Sequence, residues 1–322
     1  MTDSGAFTIS LDFELMWGVY DSRSKSEYGS NILGTRAAIS GMLDLFDEYG
    51  VGVTWAAVGL LFCNNKDEMI KRLDDSGLGA TRPDLLEYIE REVGHDVHND
   101  PYHFGIDLLQ QIQSYGRQEI SSHSFAHYGL FESYANPEGF SADMKAVGKL
   151  FDDLGLPLDS YIFARNQVDI RFLPELGLQK IKAFRGCPDH PWYSPRGPED
   201  ISHLLRLAKL VDSYLPLTAL SVSKLHERQG MTDTLASRFL RPWNPALGPV
   251  NNLQINRIKR EMTQSAKAGN YYHLWWHPHN FGACTDQNLH MLDQLLSHFS
   301  FLNERYAWPS KNMAELALEA GR

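Results

Sequence analysis

Short apolar runs alternate with segments of helical spacing along this chain of 322 residues. The clearest helical segment places Met144, Val147, Leu150, Phe151 and Leu154 on one face. Strands that alternate with helices pair in parallel through crossovers, so the sequence predicts one α/β domain of barrel type over 1–322. An insertion is expected at about 64–105, where polar residues interrupt the alternation. The predicted strands are TISL at 8–11, GVTWAAVG at 52–59, EISSHS at 119–124, SYIFAR at 160–165, KAFRG at 182–186, LTALSV at 217–222 and NYYHLWWH at 270–277.

Composition and charge limit the partners. The formal net charge is −10, and Lys and Arg form no cluster in the sequence. Phosphate binding depends on neutralising cations, so nucleic acid and anionic membranes are not expected as main partners, and a neutral or small substrate fits better.

The three cysteines follow no disulfide or metal-site spacing. The N-terminus lacks a signal-peptide pattern and no window is apolar enough to cross a bilayer, so a cytoplasmic protein without a transmembrane segment is expected. Homo-oligomerisation is left open.

Two carboxylates follow the first apolar run, in the stretch TISLDFELMWG at 8–18. In barrel folds, the side chains that do chemistry lie at the carboxyl ends of the strands. Asp12 and Glu14 are two residues apart and share a face of the strand, where they would repel each other unless a cation lies between them or one of them holds a proton. Capping and salt bridging explain such a pair equally well.

Two histidines follow a later strand-like run, in the segment ISSHSFAHYGL. His123 and His127 are four residues apart, so both imidazoles can face one metal if the chain turns helically after Ser122. Two histidines alone are more often unconnected. With a strand-end acid they make a common three-ligand zinc or iron site that leaves positions open for water.

Four segments follow one another along the chain: SLDFE at 10–14, HSFAH at 123–127, FARNQ at 163–167 and LWWHPH at 274–279. In this order they resemble the motifs of the NodB-homology polysaccharide deacetylases, metal-dependent enzymes that remove acetyl groups from N-acetylated sugars. HSFAH matches the family's H-[ST]-x-x-H motif at every specified position, and the resemblance covers residues 7 to about 280. It implies a distorted (β/α) barrel of the polysaccharide deacetylase type.

The resemblance also implies roles for the site residues. Asp12 corresponds to the general base, and Glu14, His123 and His127 correspond to the metal ligands. The metal is expected to be divalent, with zinc first and cobalt or nickel as alternatives. Glu14 stands where family members reading D-x-D have Asp, and its longer arm leaves open that Asp12 is the ligand instead. His277 corresponds to the general acid.

The family's third motif, R-x-P-Y, falls on residues 165–168. Arg165 matches it and would hold the catalytic carboxylate by charge-assisted hydrogen bonds. Asn166 and Gln167 depart from the motif and are assigned to substrate binding. Further residues assigned to the substrate pocket are Trp276 or its neighbour Trp275, Trp17, and the pair Asp189 and Trp192 in the segment CPDHPWY.

The expected reaction is N-deacetylation of an N-acetylated sugar, a cytoplasmic precursor of surface polysaccharide. Amide hydrolysis needs a nucleophile at neutral pH, and a divalent metal supplies one by lowering the pKa of its water. Asp12 would take the proton of this water, and His277 would protonate the departing nitrogen. Two alternatives stay open: a catalytically silent sugar-binding protein of the same fold, and a glycosidase that uses Asp12 or Glu14.

Overall fold

The computed structural model describes residues 5–219 and 224–320. Within these residues a single mixed sheet has the strand order β6-β7-β5-β4-β3-β2-β1-β9-β8, and it is parallel except for the β6–β7 pair. The sheet curls into a distorted, incompletely closed barrel, which confirms the predicted fold class. The strands are β1 (Phe7–Phe13), β2 (Val53–Ala57), β3 (Gln118–Ser122), β4 (Ser160–Tyr161), β5 (Ala183–Phe184), β6 (His226–Arg228), β7 (Met231–Asp233), β8 (Arg238–Phe239) and β9 (Tyr272–Trp276).

Helices cover the sheet. They begin and end where the sequence supplies caps: a capping box of Ser24 and Glu27 starts α1, and Asn136 caps α6, which ends at Gly155 with a positive φ of 64°. Of the predicted apolar face on α6, Met144, Val147, Leu150 and Phe151 are buried and Leu154 is half-buried. The helices are α1 (Lys25–Glu48), α2 (Lys66–Ser76), α3 (Leu78–Thr81), α4 (Pro83–Glu92), α5 (Ile106–Gln113), α6 (Pro137–Leu154), α7 (Leu173–Leu178), α8 (His203–Tyr214), α9 (Asn251–Ala268), α10 (Thr285–Tyr306) and α11 (Met313–Ala320).

Some strand predictions are wrong in extent. The run at 160–165 forms a strand only over β4, after which a 3-10 turn over Ala164–Asn166 takes its place. Of the run at 217–222, residues 217–219 are not in a strand and the rest lies outside the described residues. The short strands β6, β7 and β8 were not predicted, because two or three residues show no periodicity.

The segment at 64–105 is mostly helical and lies between β2 and β3. Leu73 of α2 and Leu85 and Ile89 of α4 are fully buried in the same hydrophobic cluster as the strands β1 and β2. We propose that the chain is a single domain and that this segment is a helical insertion that shares its core.

The register of the central strands places the candidate site. Asp12 of β1 lies opposite Ala56 of β2, and Ala57 lies opposite Ser122 of β3. On the other side of β1, Leu11 lies opposite Trp276 of β9. Residues that follow β1, β3 and β9 therefore emerge at one edge of the sheet. None of the helices described is both long and apolar enough for a bilayer span.

Candidate active site

The ends of β1 and β3 bring one carboxylate and two imidazoles together. Glu14 Oε1 lies 2.9 Å from His123 Nε2 and 3.2 Å from His127 Nε2. All three residues are buried, and one atom of each lies within 4.8 Å of the others. A set of one carboxylate and two imidazole nitrogens is typical of zinc and other divalent transition-metal sites.

The HSFAH segment reaches this position through a tight, buried turn. Ser124 and His127 have positive φ values of 72° and 52°, which a non-glycine residue adopts only when its surroundings enforce it. Asp143 of α6 supplies that support: its carboxylate accepts hydrogen bonds from Ser124 Oγ (3.0 Å), Phe125 N (2.9 Å) and Ala126 N (2.9 Å). The orientation of the histidines therefore depends on a helix that contributes no ligand.

The donor set fits a metal ion. His123 Nδ1 is 2.9 Å from the Ile162 carbonyl oxygen, which can only accept, so the proton of a neutral imidazole is on Nδ1. The Nε2 lone pair then faces Glu14 Oε1, which is itself an acceptor. Two acceptors at 2.9 Å need a positive charge between them, which a shared proton or a cation provides.

Burial and charge act against each other on these ligands. Burial would raise the pKa of Glu14, but the charges of His277 and His127 and the hydrogen bonds from His123 and His127 outweigh it and hold the pKa well below its usual range. Burial would lower the pKa of His123, but the carboxylates of Asp12 and Glu14 outweigh it and raise the pKa. For His127 the effect of burial prevails and the pKa is lowered. A cation would therefore meet an ionised Glu14.

Asp12 is held by a buried arginine that the sequence reasoning missed. Arg185 follows β5 and donates two hydrogen bonds to Asp12, from Nη1 to Oδ1 at 2.6 Å and from Nη2 to Oδ2 at 2.8 Å. Burial would raise the pKa of Asp12, but Arg185 and the nearby histidines outweigh it and lower the pKa. The available signal was a cation at the end of a predicted strand, in KAFRG.

The prediction that Arg165 holds the catalytic carboxylate is wrong. Its guanidinium pairs with Asp21 and, at 3.2 Å, with Glu132. Arg165 lies in the 3-10 turn after β4 with a φ of 56°, and this turn directs its side chain towards those acids.

His277 follows β9 and lies next to the carboxylates. Its Nε2 is 3.7 Å from Asp12 Oδ2 and 3.8 Å from Glu14 Oε1. The side chain is 25% exposed, whereas those of Asp12 and Glu14 are buried, so His277 is the member of the cluster that a ligand from solvent can reach.

The predicted substrate contacts have mixed outcomes. The predictions for Trp17 and Trp276 are wrong, because both are buried: Trp17 donates to the His103 carbonyl oxygen at 2.9 Å, and Trp276 stacks on Phe281. Trp275, on the opposite face of β9, lies over Arg185 with 4.2 Å between the guanidinium carbon and the ring centroid.

A cavity lies beside His277. Of the remaining predicted contacts, one lines this cavity and the others do not. Asn166 accepts a hydrogen bond from Arg185 Nη2 at 2.8 Å and faces the cavity. Gln167 is buried and bonds to Glu132 and to the Phe131 backbone, which is a structural role. Asp189 is exposed and Trp192 is half-buried, and neither is among the residues that line the cavity beside His277.

That cavity has a volume of about 260 Å³. Trp275 and His277 form its wall towards the carboxylates, and Tyr193, Phe239 and Asn166 form other parts of the lining. An aromatic wall beside a reactive cluster is typical of pockets that bind a small molecule.

Comparison with known proteins supports the fold. No protein-family model and no curated protein matches the sequence. Among solved structures, the chain is similar to a candidate polysaccharide deacetylase from Mycobacterium smegmatis, with a TM-score of 0.59 and 12% identity over 99% of this chain and 91% of that one. The allantoinase PuuE has a TM-score of 0.55 and 10% identity over 98% and 90% of the two chains.

A third similar structure is the 4-alpha-glucanotransferase from Thermococcus litoralis, with a TM-score of 0.53 and 13% identity over 99% of this chain and 40% of that one. At such identities the similarity establishes the fold alone. The chain therefore has the distorted (β/α) barrel of the polysaccharide deacetylases, with a candidate metal site at the carboxyl end of its sheet.

Proposed function

We propose that the protein is a metal-dependent hydrolase that removes the acetyl group from an N-acetylated sugar. The observation that carries this proposal is the convergence of Glu14, His123 and His127 within 4.8 Å, directly beside Asp12 and His277. A fold shared with polysaccharide deacetylases supports the same reaction class.

Glu14, His123 and His127 would hold the metal. The chemistry that a divalent ion would supply there is a water made nucleophilic at neutral pH and a polarised acyl carbonyl. Asp12 Oδ2 accepts the proton of the attacking water, while Arg185 fixes the orientation of the carboxylate. His277 Nε2 donates a proton to the departing sugar nitrogen, because an amine leaves poorly as an anion.

The environment of the carboxylates argues against glycosidase chemistry. A glycosidase needs two carboxyl groups about 5–10 Å apart, one of them a protonated acid. Asp12 is paired with Arg185 on both oxygens, and Glu14 faces two imidazoles, so the environment of each lowers its pKa and neither can serve as that acid. That the substrate is a cytoplasmic precursor of surface polysaccharide stays a prediction.

Metal analysis combined with acetate release tests the proposal. We expect about one divalent metal ion per chain, acetate release from N-acetylhexosamine conjugates that is lost with a chelator, and recovery with zinc, cobalt or nickel. Acetate release that survives chelation would contradict the proposal. Bound metal without turnover on a wide panel of sugars would favour a silent binding protein, and release of reducing sugar would favour a glycosidase.

A further inference from the structure

The cavity beside His277 collects positive charge. Five cationic side chains line it: those of Arg165, Arg196, Lys209, Arg238 and Arg241. They come from separated parts of the chain, which is why no basic cluster is visible in the sequence of a protein whose net charge is −10.

Two of the five cations are neutralised by acids. Arg165 pairs with Asp21 and Glu132. Arg238 pairs with Glu261 at 2.7 Å and with Asp212 at 3.0 Å. These arginines are parts of ion-pair networks and leave little charge for a ligand.

The other three have no carboxylate within 4.0 Å in the described part of the chain. Arg196 donates to the backbone carbonyls of Trp192 and Pro191, at 3.1 and 2.6 Å. Arg241 Nε donates to Ser213 Oγ at 2.6 Å. Lys209 Nζ lies 5.6 Å from the centroid of the Tyr193 ring.

Two of these cations act on the third, Lys209. Burial lowers the pKa of Lys209, and the charges of Arg196 and Arg241 lower it further. Burial also lowers the pKa of Arg241. Half-buried like charges without counter-ions are costly in a folded protein, so their persistence in one cavity indicates a site that an anion completes.

We propose that the substrate carries a phosphate group, as a monoester or a diphosphate, and that Arg196, Lys209 and Arg241 bind it while the acetamido group lies at His277. The inference rests on the proposed function. Three unmatched positive charges exceed the single charge of a carboxylate, whereas a phosphate monoester carries a charge of about −1.5 to −2 at neutral pH. Guanidinium groups also match the geometry of phosphate oxygens.

Calorimetric titration compares an N-acetylhexosamine 1-phosphate, the same sugar linked to a nucleoside diphosphate, the neutral parent sugar and an N-acetylated hexosaminuronic acid. We expect both phosphorylated compounds to bind at least about ten-fold more tightly than the neutral sugar and the uronic acid. Comparison of the two phosphorylated compounds distinguishes a monoester site from a diphosphate site. Equal affinity for the neutral and the phosphorylated sugar would overturn the proposal. Inorganic phosphate binding as tightly as the sugar phosphate would overturn it too.

Charge-removing variants locate the binding site. Lys209→Gln and Arg241→Gln should each weaken binding of the sugar phosphate by about ten-fold and leave binding of the neutral sugar unchanged. Arg206→Gln is the matched control, because Arg206 is an exposed cation on the same helix as Lys209 and does not line the cavity. Thermal unfolding of each variant identifies losses that come from misfolding. Unchanged affinity in both folded variants, or an equal loss in the control, would contradict the assignment.

Binding requires no turnover, so failure of the inference differs from failure of the proposed function. Phosphate-dependent binding that needs Lys209, without acetate release from any compound, leaves the anion site intact and refutes the deacetylase. Efficient deacetylation of neutral sugars, with Lys209→Gln behaving as wild type, supports the deacetylase and refutes the anion site.

Discussion

Two ionisable side chains of the candidate site are oriented by partners from elsewhere in the chain. The Ile162 carbonyl orients His123, and Arg185 orients Asp12. Arg185 is itself fully buried, and Asp12 is the carboxylate that balances its charge. A buried pair of this kind is expensive to break, because the remaining charge has no partner, at a cost of about 3–5 kcal/mol.

Replacement of a ligand and of the base should separate their roles. His123→Ala should lose the metal and the activity together. Asp12→Ala should keep about one metal ion per chain and lower kcat/KM by a factor of about 10² to 10⁴, the usual contribution of a general base. Metal analysis and steady-state kinetics check both outcomes. Both are measured below the unfolding temperature of Asp12→Ala, because the unpaired Arg185 should destabilise this variant. If Asp12→Ala loses the metal and Glu14→Ala retains it, the two carboxylates have exchanged roles.

Replacement of Arg185 should change the pH dependence of catalysis. In Arg185→Gln the pKa of Asp12 should rise, because burial continues to raise it and the opposing charge is gone. Asp12 then loses its proton at a higher pH, so the acidic limb of the kcat/KM profile should move to higher pH. Arg165→Gln is the control and should leave this limb in place, since its guanidinium pairs with Asp21 and Glu132. A shift in Arg165→Gln alone would mean that the wrong arginine has been assigned.

At the level of elements, a 3-10 turn over Leu15–Gly18 follows β1 and folds back on Glu14. The turn leaves no room for a side chain at Gly18, because an added Cβ would lie 1.8 Å from Glu14 Oε2. Gly18→Ala should displace the carboxylate, which is the end of a flexible side chain. We expect at least about a ten-fold loss of metal affinity and little loss of thermal stability.

Gly116→Ala is the control for this change, because an added Cβ there meets nothing within 4 Å. Competition with a fluorescent chelator gives the affinities. Equal metal affinity in Gly18→Ala and wild type would show that Glu14 does not bind the metal.

The loop between α4 and α5 is fastened by one buried carboxylate. Asp100 Oδ2 is 2.8 Å from His103 Nδ1 and accepts a hydrogen bond of 2.8 Å from Gly94 N. His103 in turn forms a hydrogen bond with the Tyr88 hydroxyl. Burial would raise the pKa of Asp100, but the hydrogen bond and charge of His103, the Gly94 amide and Lys25 lower it to about 2.

This shift predicts how stability depends on pH. The folded-state pKa of Asp100 lies below the unfolded value of 3.8, so its contribution is fully present above about pH 5 and is lost as the pH falls towards 2. The contribution is about 2 kcal/mol at pH 7, with about half of it lost by pH 3. Urea unfolding of wild type and Asp100→Asn at both pH values should show the difference between them shrinking. A difference that stays constant would refute the assignment.

For the whole molecule, the alternation of strands and helices was enough to predict the α/β barrel, because it reflects the burial of each element. The motifs also named Asp12, Glu14, His123, His127 and His277, whose side chains the fold brings together. Arg185 was missed, because the order of the strands in the folded sheet determines which arginine lies next to Asp12, and the motifs do not specify that order. Which of two adjacent tryptophans faces the cavity depends on the face of β9, and a motif carries no such information.

Metal binding should stabilise the whole barrel, since its proposed ligands follow β1 and β3, two strands that β2 separates. An ion that binds only the folded state adds about 2.7 kcal/mol at a free concentration of 100 times its Kd. Chelation should therefore lower the unfolding temperature of wild type by several degrees and leave that of His123→Ala unchanged. Differential scanning calorimetry measures both. An equal decrease in the two proteins would indicate that the chelator acts elsewhere.

The contact between His123 and the main-chain oxygen of residue 162 has a consequence for mutagenesis and for evolution. No exchange of one side chain deletes a peptide carbonyl, so systematic scanning of position 162 would overlook its part in fixing the imidazole tautomer. Related chains could carry another apolar residue that fits this buried position and keep the same ligand chemistry. The substitutions found among related sequences would then understate how much the site depends on hydrogen bonds to the backbone.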